Sequence, residues 1–131
     1  MVIDSSALVA VIAQEPEAGQ FLRIIQGAAS RKISAASFFE TGMVLKRDTT
    51  GARMALFEEF LTDYRVTIAA ITEAHARIAL GAFDRYGKGR GHPAQLNFGD
   101  CFSYVLAKTS GEPLLFKAND FIHTDLQVIH P

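Results

Sequence analysis

The chain has 131 residues, 49% of them hydrophobic and 21% charged, enough apolar material for one compact globular domain, residues 1–131, with a real core. Its formal net charge of −1 supplies no global basic field, so any polyanion has to be held by a local patch. The single cysteine, Cys101, excludes an internal disulfide and a thiolate zinc cluster, and no apolar stretch approaches the roughly 20 residues needed to cross a bilayer. With no basic leader or cleavage site around Met1-Val2-Ile3-Asp4, we expect a cytoplasmic protein that does not engage membranes.

Taken in chain order, strand-like and helix-like segments alternate. Val2 to Asp4 reads as a short buried strand, and Ser5 to Ala13 sets Leu8, Val11 and Ile12 on one helical face. Glu15-Pro16-Glu17 interrupts that helix and starts a second, with Phe21, Leu22 and Ile25 at helical spacing. Lys32 to Ala35 is strand two. Ser34 or Ser37 caps a helix to about Asp48, and Gly51 to Asp63 is another, with Leu56, Phe57, Phe60 and Leu61 expected inward; Phe38-Phe39 and Met43-Val44 are read as core. Arg65 to Ala69 is strand three, Thr72 caps a helix to about Tyr86, and Gly87 to Phe98 is a loop. Gly99 to Thr109 is helical, Leu114 to Phe116 is strand four, and Gln127 to Ile129 is strand five. Strands separated by helices imply a mostly parallel sheet covered on both faces, with ligands bound beyond the carboxyl ends of the strands.

Four acids fall at seams of this pattern: Asp4 at the end of strand one, Glu40 in the first turn after strand two, Asp100 at the start of a helix and Asp120 after strand four. A helix of about 15 residues descends roughly 22 Å from strand three, and the 87–98 loop can span more than about 30 Å, so Asp100 can return to the same edge. Each acid also has a local reading: Asp4 as the cap of the helix at Ser5, Glu40 in a capping box with Ser37, Asp100 as first-turn dipole compensation, Asp120 as a turn residue. Together at one edge they cannot all stay ionised without a cation, which favours a divalent-metal site. Oxygen-only donors select Mg²⁺, with Mn²⁺ as a plausible substitute, and the four histidines show no zinc spacing.

The segments Val2-Ile3-Asp4-Ser5-Ser6-Ala7-Leu8, Ser34-Ala35 with Glu40 downstream, Asn97-Phe98-Gly99-Asp100-Cys101-Phe102 and Leu114-Leu115-Phe116-Lys117-Ala118-Asn119-Asp120-Phe121 resemble PIN-domain ribonucleases, and more narrowly the VapC toxins of bacterial type II toxin-antitoxin systems. The resemblance runs the length of the chain. It implies a PIN-like three-layer α/β sandwich with a five-stranded parallel sheet of order 3-2-1-4-5. It also implies a Mg²⁺-dependent endoribonuclease that leaves a 5′-phosphate and a 3′-hydroxyl and is neutralised by a cognate VapB-like antitoxin. By motif position Asp4, Glu40, Asp100 and Asp120 take the acidic site, Ser6 takes the hydroxyl position beside Asp4, and Asn119 is a supporting residue. Ala118 stands where the family often has glycine.

For RNA, the segment Arg85 to His92 is the expected contact: Lys88 and Arg90 lie among glycines and beside Tyr86, with Lys46, Arg47 and Lys117 as further candidates. A surplus apolar face on the helix after strand two is expected to serve a homodimer or an antitoxin helix. Two other functions fit parts of the pattern: a non-catalytic RNA- or partner-binding PIN domain, and a receiver-like phosphoacceptor. Against the receiver, no adjacent acidic pair follows strand one, and Ala69-Ala70 stands where its phosphorylated Asp would end strand three.

Overall fold

The computed structural model describes residues 1–131. Five short strands, β1 (Val2–Ile3), β2 (Lys32–Ser34), β3 (Thr67–Ala69), β4 (Leu114–Leu115) and β5 (Val128–Ile129), form one sheet of order β3-β2-β1-β4-β5, every pair parallel. Six α-helices connect them: α1 (Ser5–Ile12), α2 (Ala18–Gly27), α3 (Ala35–Leu45), α4 (Ala52–Asp63), α5 (Glu73–Tyr86) and α6 (Phe98–Ser110). A 3₁₀ turn, Asp120–His123, follows β4.

The strand alternation explains the layers. Successive side chains on a strand face opposite sides, and the neighbours Val2 and Ile3 accordingly enter different cores, as do Leu114 and Leu115. Ile3, Leu8, Phe21, Ile25, Ile33, Phe57 and Leu115 share one apolar cluster, supplied largely by α1, α2 and α4. Val2, Tyr86, Leu96, Val105, Leu114, Phe116 and Phe121 share the other, beneath α5 and α6.

The strands are shorter than their apolar runs, for local reasons. Asp4 leaves the ladder to cap α1, its carboxylate accepting the Ser6 amide at 3.0 Å. Ser34 caps α3 through the Ser37 amide, so Ala35 is already helical. Arg65, expected in strand three, has φ of 50°, a left-handed conformation that ends α4 and delays β3 to Thr67. At the far end of α6, Gly111 supplies the left-handed cap at φ 65°.

Three expected core residues are exposed. Phe39, Met43 and Leu56 stand 66%, 53% and 45% open, because a helix turns about 100° per residue and these three fall on the outward sides of α3 and α4. Phe38 takes the inner place by stacking on Phe57 at 5.7 Å, leaving Phe39 outside.

Candidate active site

Parallel strands end on one edge, and the elements that leave that edge bring the acids together. Asp4 ends β1, Glu40 comes from α3, Asp100 from α6 and Asp120 from the turn after β4; all four line one cavity of about 360 Å³. Glu40 belongs to the second turn of α3 rather than the first, since the helix begins at Ala35. It forms no capping box with Ser37.

Three of the four carboxylates are anchored by hydrogen bonds. Asp4 is buried; one of its oxygens, Oδ2, accepts from the Ser6 amide at 3.0 Å and the Ser6 hydroxyl at 2.6 Å, while Oδ1 accepts from the Ser103 hydroxyl at 2.6 Å. The Ser6 oxygen in turn accepts from the Lys117 amide at 3.1 Å, fastening the end of β1 to the segment after β4. Glu40 accepts a short hydrogen bond from the Ser5 hydroxyl. Its carboxylate occupies the space of a missing side chain at Gly99: a Cβ there would collide with the Glu40 oxygens. Asp100 completes a capping box, its Oδ2 accepting from the Asn97 amide at 3.0 Å while Asn97 Oδ1 accepts from the Asp100 amide at 2.9 Å. Thus the capping roles of Asp4 and Asp100 coexist with their place in the cavity.

The electrostatics distinguish this cavity from an ordinary cluster of caps. Burial pushes Asp100 up to about 7 despite the Asn97 hydrogen bond, and the charges of Asp4, Asp120 and Glu40 push the same way. Asp120 is also raised, first by burial and then by Asp4. Glu15 adds a fifth acid to the lining, and the one cation there, Lys117, is already engaged by Glu15 and by Glu17 at 3.5 Å. Five carboxyl groups therefore face one ammonium that is itself paired.

No three His, Cys, Asp or Glu side chains converge into a ready-made ligand set. Asp4, Glu40 and Asp100 are each turned onto their own protein donors, and like charges repel. The donor chemistry nonetheless suits a hard cation: the lining holds carboxylates, hydroxyls and an amide, with no histidine or cysteine.

The other expected contacts divide. Ser6 is in the cavity, whereas Asn119 is exposed at the start of the 3₁₀ turn and does not line it. Lys117 lines the cavity, but its pairing with Glu15 and Glu17 removes it as a free phosphate contact. Lys88 and Arg90 lie outside the cavity lining, because the loop first folds back on itself through a bridge between Gly87 and Leu96. Arg90 is held by Asp84 at 3.1 Å and lies over Phe83. Lys46, Arg47 and Lys88 are exposed and join none of the ion pairs. Sequence reasoning missed Ser5, Glu15 and Ser103. Ser103 had a signal, standing three residues after Asp100 on the same helical face; Glu15 had none beyond its place in a helix break.

Comparison with known proteins places this geometry. The PIN domain profile matches residues 1–126. Ribonuclease VapC30 of Mycobacterium tuberculosis is 43% identical over 129 residues, covering 98% of each chain. Among solved structures, Mycobacterium tuberculosis VapC20, described as a sarcin-ricin loop cleaving toxin, superposes with a TM-score of 0.80 at 16% identity, covering 99% of this chain and 98% of its own. A chain of a toxin-antitoxin complex from Klebsiella pneumoniae gives a TM-score of 0.70 at 19% identity, covering 98% and 94%. The match sets aside the receiver-like alternative, and by profile and relatives together the chain belongs to the PIN-domain family, in its VapC ribonuclease branch.

Proposed function

We propose that this protein is a Mg²⁺-dependent endoribonuclease, the toxin of a type II toxin-antitoxin system, that hydrolyses RNA phosphodiester bonds with water as the nucleophile. The observation that carries this reading is the uncompensated acidity of the cavity at the carboxyl edge of the sheet, where Asp100 is pushed up to about 7.

Asp4 and Asp100 would hold the cation, with Glu40 and Asp120 completing its surroundings directly or through water. When bound, Mg²⁺ or Mn²⁺ supplies positive charge beside the scissile phosphate and lowers the pKa of water for in-line attack. The chain's own work is orientation. Ser6 fixes Asp4, Ser5 and the side-chain-free Gly99 fix Glu40, and Asn97 fixes Asp100. Lys46 and Arg47 follow α3, whose Val44 lines the cavity, and are the nearest exposed cations in sequence for the RNA backbone; Lys88 is the third.

An antitoxin partner is supported by the toxin-antitoxin complex among the structural neighbours. Apolar surface beside the acids suits such a partner or a second copy of the chain: Phe98 is 80% exposed, and Leu80, Phe83 and Phe102 line a groove between α5 and α6. An Arg or Lys on the antitoxin tail would pair with Asp4, Glu40 or Asp100 in competition with the cation.

The test is cleavage of a structured RNA by purified, metal-stripped protein, with and without added Mg²⁺, followed by end-group analysis. The proposal expects activity only with the cation and 5′-phosphate ends. Cleavage in excess chelator, or cyclic phosphate ends, would contradict it.

A further inference from the structure

Behind Asp4 lies a buried chain of hydroxyl groups that none of the site's chemistry so far uses. Ser103 Oγ donates to Asp4 Oδ1 at 2.6 Å, Ser37 and Ser103 hydroxyls are 3.1 Å apart, and Ser34 Oγ lies 3.2 Å from Ser37 Oγ. All three serines are buried, Ser103 completely. Proton counting fixes the direction. A hydroxyl has one proton to donate, and Ser103 gives its proton to Asp4, so Ser37 must donate to Ser103. Ser34, whose oxygen already accepts from the Ser37 amide at 3.0 Å, then donates to Ser37. The relay runs one way, from Ser34 through Ser37 and Ser103 to Asp4.

The members are placed where relative geometry is set. Ser37 stands three residues before Glu40 on α3, and Ser103 three residues after Asp100 on α6, each one turn from an acid on its own helix. The relay therefore ties together the three elements that carry Asp4, Glu40 and Asp100. Ser6 holds only Oδ2 of Asp4, so without Ser103 the carboxylate loses the one donor to its other oxygen.

We propose that Ser103 is a positioning residue for Asp4, with Ser37 acting through it, and that this relay presets Asp4 for a divalent cation. The inference rests on the metal-dependent reading above. Loss of a group that orients a ligand weakens metal binding by about 10- to 100-fold in other sites.

The experiment measures Mn²⁺ affinity by calorimetry and the Mg²⁺ concentration giving half-maximal cleavage, for wild type, Ser103→Ala, Ser37→Ala and the double variant, with circular dichroism to verify folding. Ser103→Ala should weaken Mn²⁺ binding about tenfold and raise half-saturating Mg²⁺ to match, while saturating Mg²⁺ recovers kcat. Ser37→Ala, as the outer link, should weaken Mn²⁺ binding measurably but less than Ser103→Ala. The double variant should be no weaker than Ser103→Ala, since both changes cut one chain. A folded Ser103→Ala protein with wild-type affinity overturns the proposal, as do losses that simply multiply in the double variant. If Ser103→Ala does not fold, Ser37→Ala decides: weakened Mn²⁺ binding supports the relay, and wild-type binding overturns it. Failure of wild-type protein to bind Mn²⁺ at all would instead sink the metal reading, and this role with it.

Discussion

The two edges of the sheet use the same chemical group to opposite ends. At the amino edge, Glu112 accepts from the Met1 ammonium at 2.6 Å and from Lys32 at 2.9 Å, and those charges hold its carboxyl below the usual range. At the carboxyl edge, burial and neighbouring acids push Asp100 up to about 7. The first arrangement is a satisfied ion-pair network that joins the starts of β1 and β2 to the turn before β4. The second is frustrated, and frustration held in place by a stable scaffold marks a site awaiting positive charge. What separates them is whether the fold supplies the counter-charge.

The largest way to break the comparison is to remove an acid at the carboxyl edge. Asp100→Asn and Asp4→Asn should each lower Mg²⁺-dependent RNA cleavage by at least about 100-fold, since even orienting groups around metal ligands are worth 10- to 100-fold. Asn retains an oxygen for the Asn97 or Ser6 amide, so circular dichroism should show the fold intact. Near wild-type turnover would remove that residue from the site.

Gly99 offers a subtler break. Gly99→Ala places a methyl against the Glu40 carboxylate and should cost on the order of 10- to 100-fold in kcat through misplacement. Gly81→Ala, in α5 with open space around it, should leave activity unchanged. Equal kinetics in the two variants would mean that Glu40's position is immaterial.

The edges should also respond to pH with opposite signs. Asp100's folded pKa lies above its unfolded value, so the folded state binds the extra proton between about pH 4 and 7 and metal-free stability falls as pH rises through that window. Glu112's folded pKa is depressed, so its contribution is fully present above its ordinary value of 4.5 and is lost as pH falls through the lower folded value. Chemical denaturation in chelator should therefore show Asp100→Asn more stable than wild type at pH 8, by up to roughly 4 kcal/mol, with the gap closing toward pH 4. Glu112→Gln should be less stable at pH 7, by about 1 kcal/mol, with its gap closing in acid. Parallel pH profiles for the two variants would erase the distinction between the edges.

The smallest effects belong to the exposed cations. Replacing Lys46 and Arg47 with Ala should weaken RNA binding roughly uniformly across sequences and reduce the slope of log affinity against log salt by about one to two units; Lys88→Ala should reduce it by about one. Arg90→Ala should do less, because Asp84 already holds that guanidinium. A salt titration by fluorescence anisotropy ranks them.

The parallel sheet was legible because apolar runs of strand length alternate with helical periodicity from Val2 to Ile129, whereas the 3-2-1-4-5 order, which the structure has, was implied by the family resemblance and not by periodicity. Strand ends were less legible. Whether Asp4 or Ala35 continues a ladder is decided by a cap, and Arg65 by a left-handed turn that its side chain does not announce. The acids could be named from their seams, but not the pairing of Glu15 with Lys117, which forms only when the break after α1 and the segment following β4 come together. The fold of the basic loop was hidden for a related reason: charge and glycine content say nothing about the Gly87–Leu96 bridge or about Asp84 pairing with Arg90. Consecutive aromatic residues such as Phe38 and Phe39 likewise split between core and surface by helical angle alone.

The most direct test of the frustrated carboxyl edge is the thermal midpoint of metal-stripped protein at pH 8, measured with and without Mg²⁺ for wild type and Asp100→Asn. The account predicts that Mg²⁺ raises the wild-type midpoint, that Asp100→Asn without metal already melts above metal-free wild type, and that added Mg²⁺ moves it little. A wild-type midpoint indifferent to Mg²⁺, together with an Asp100→Asn protein no more stable than wild type in chelator, would contradict it.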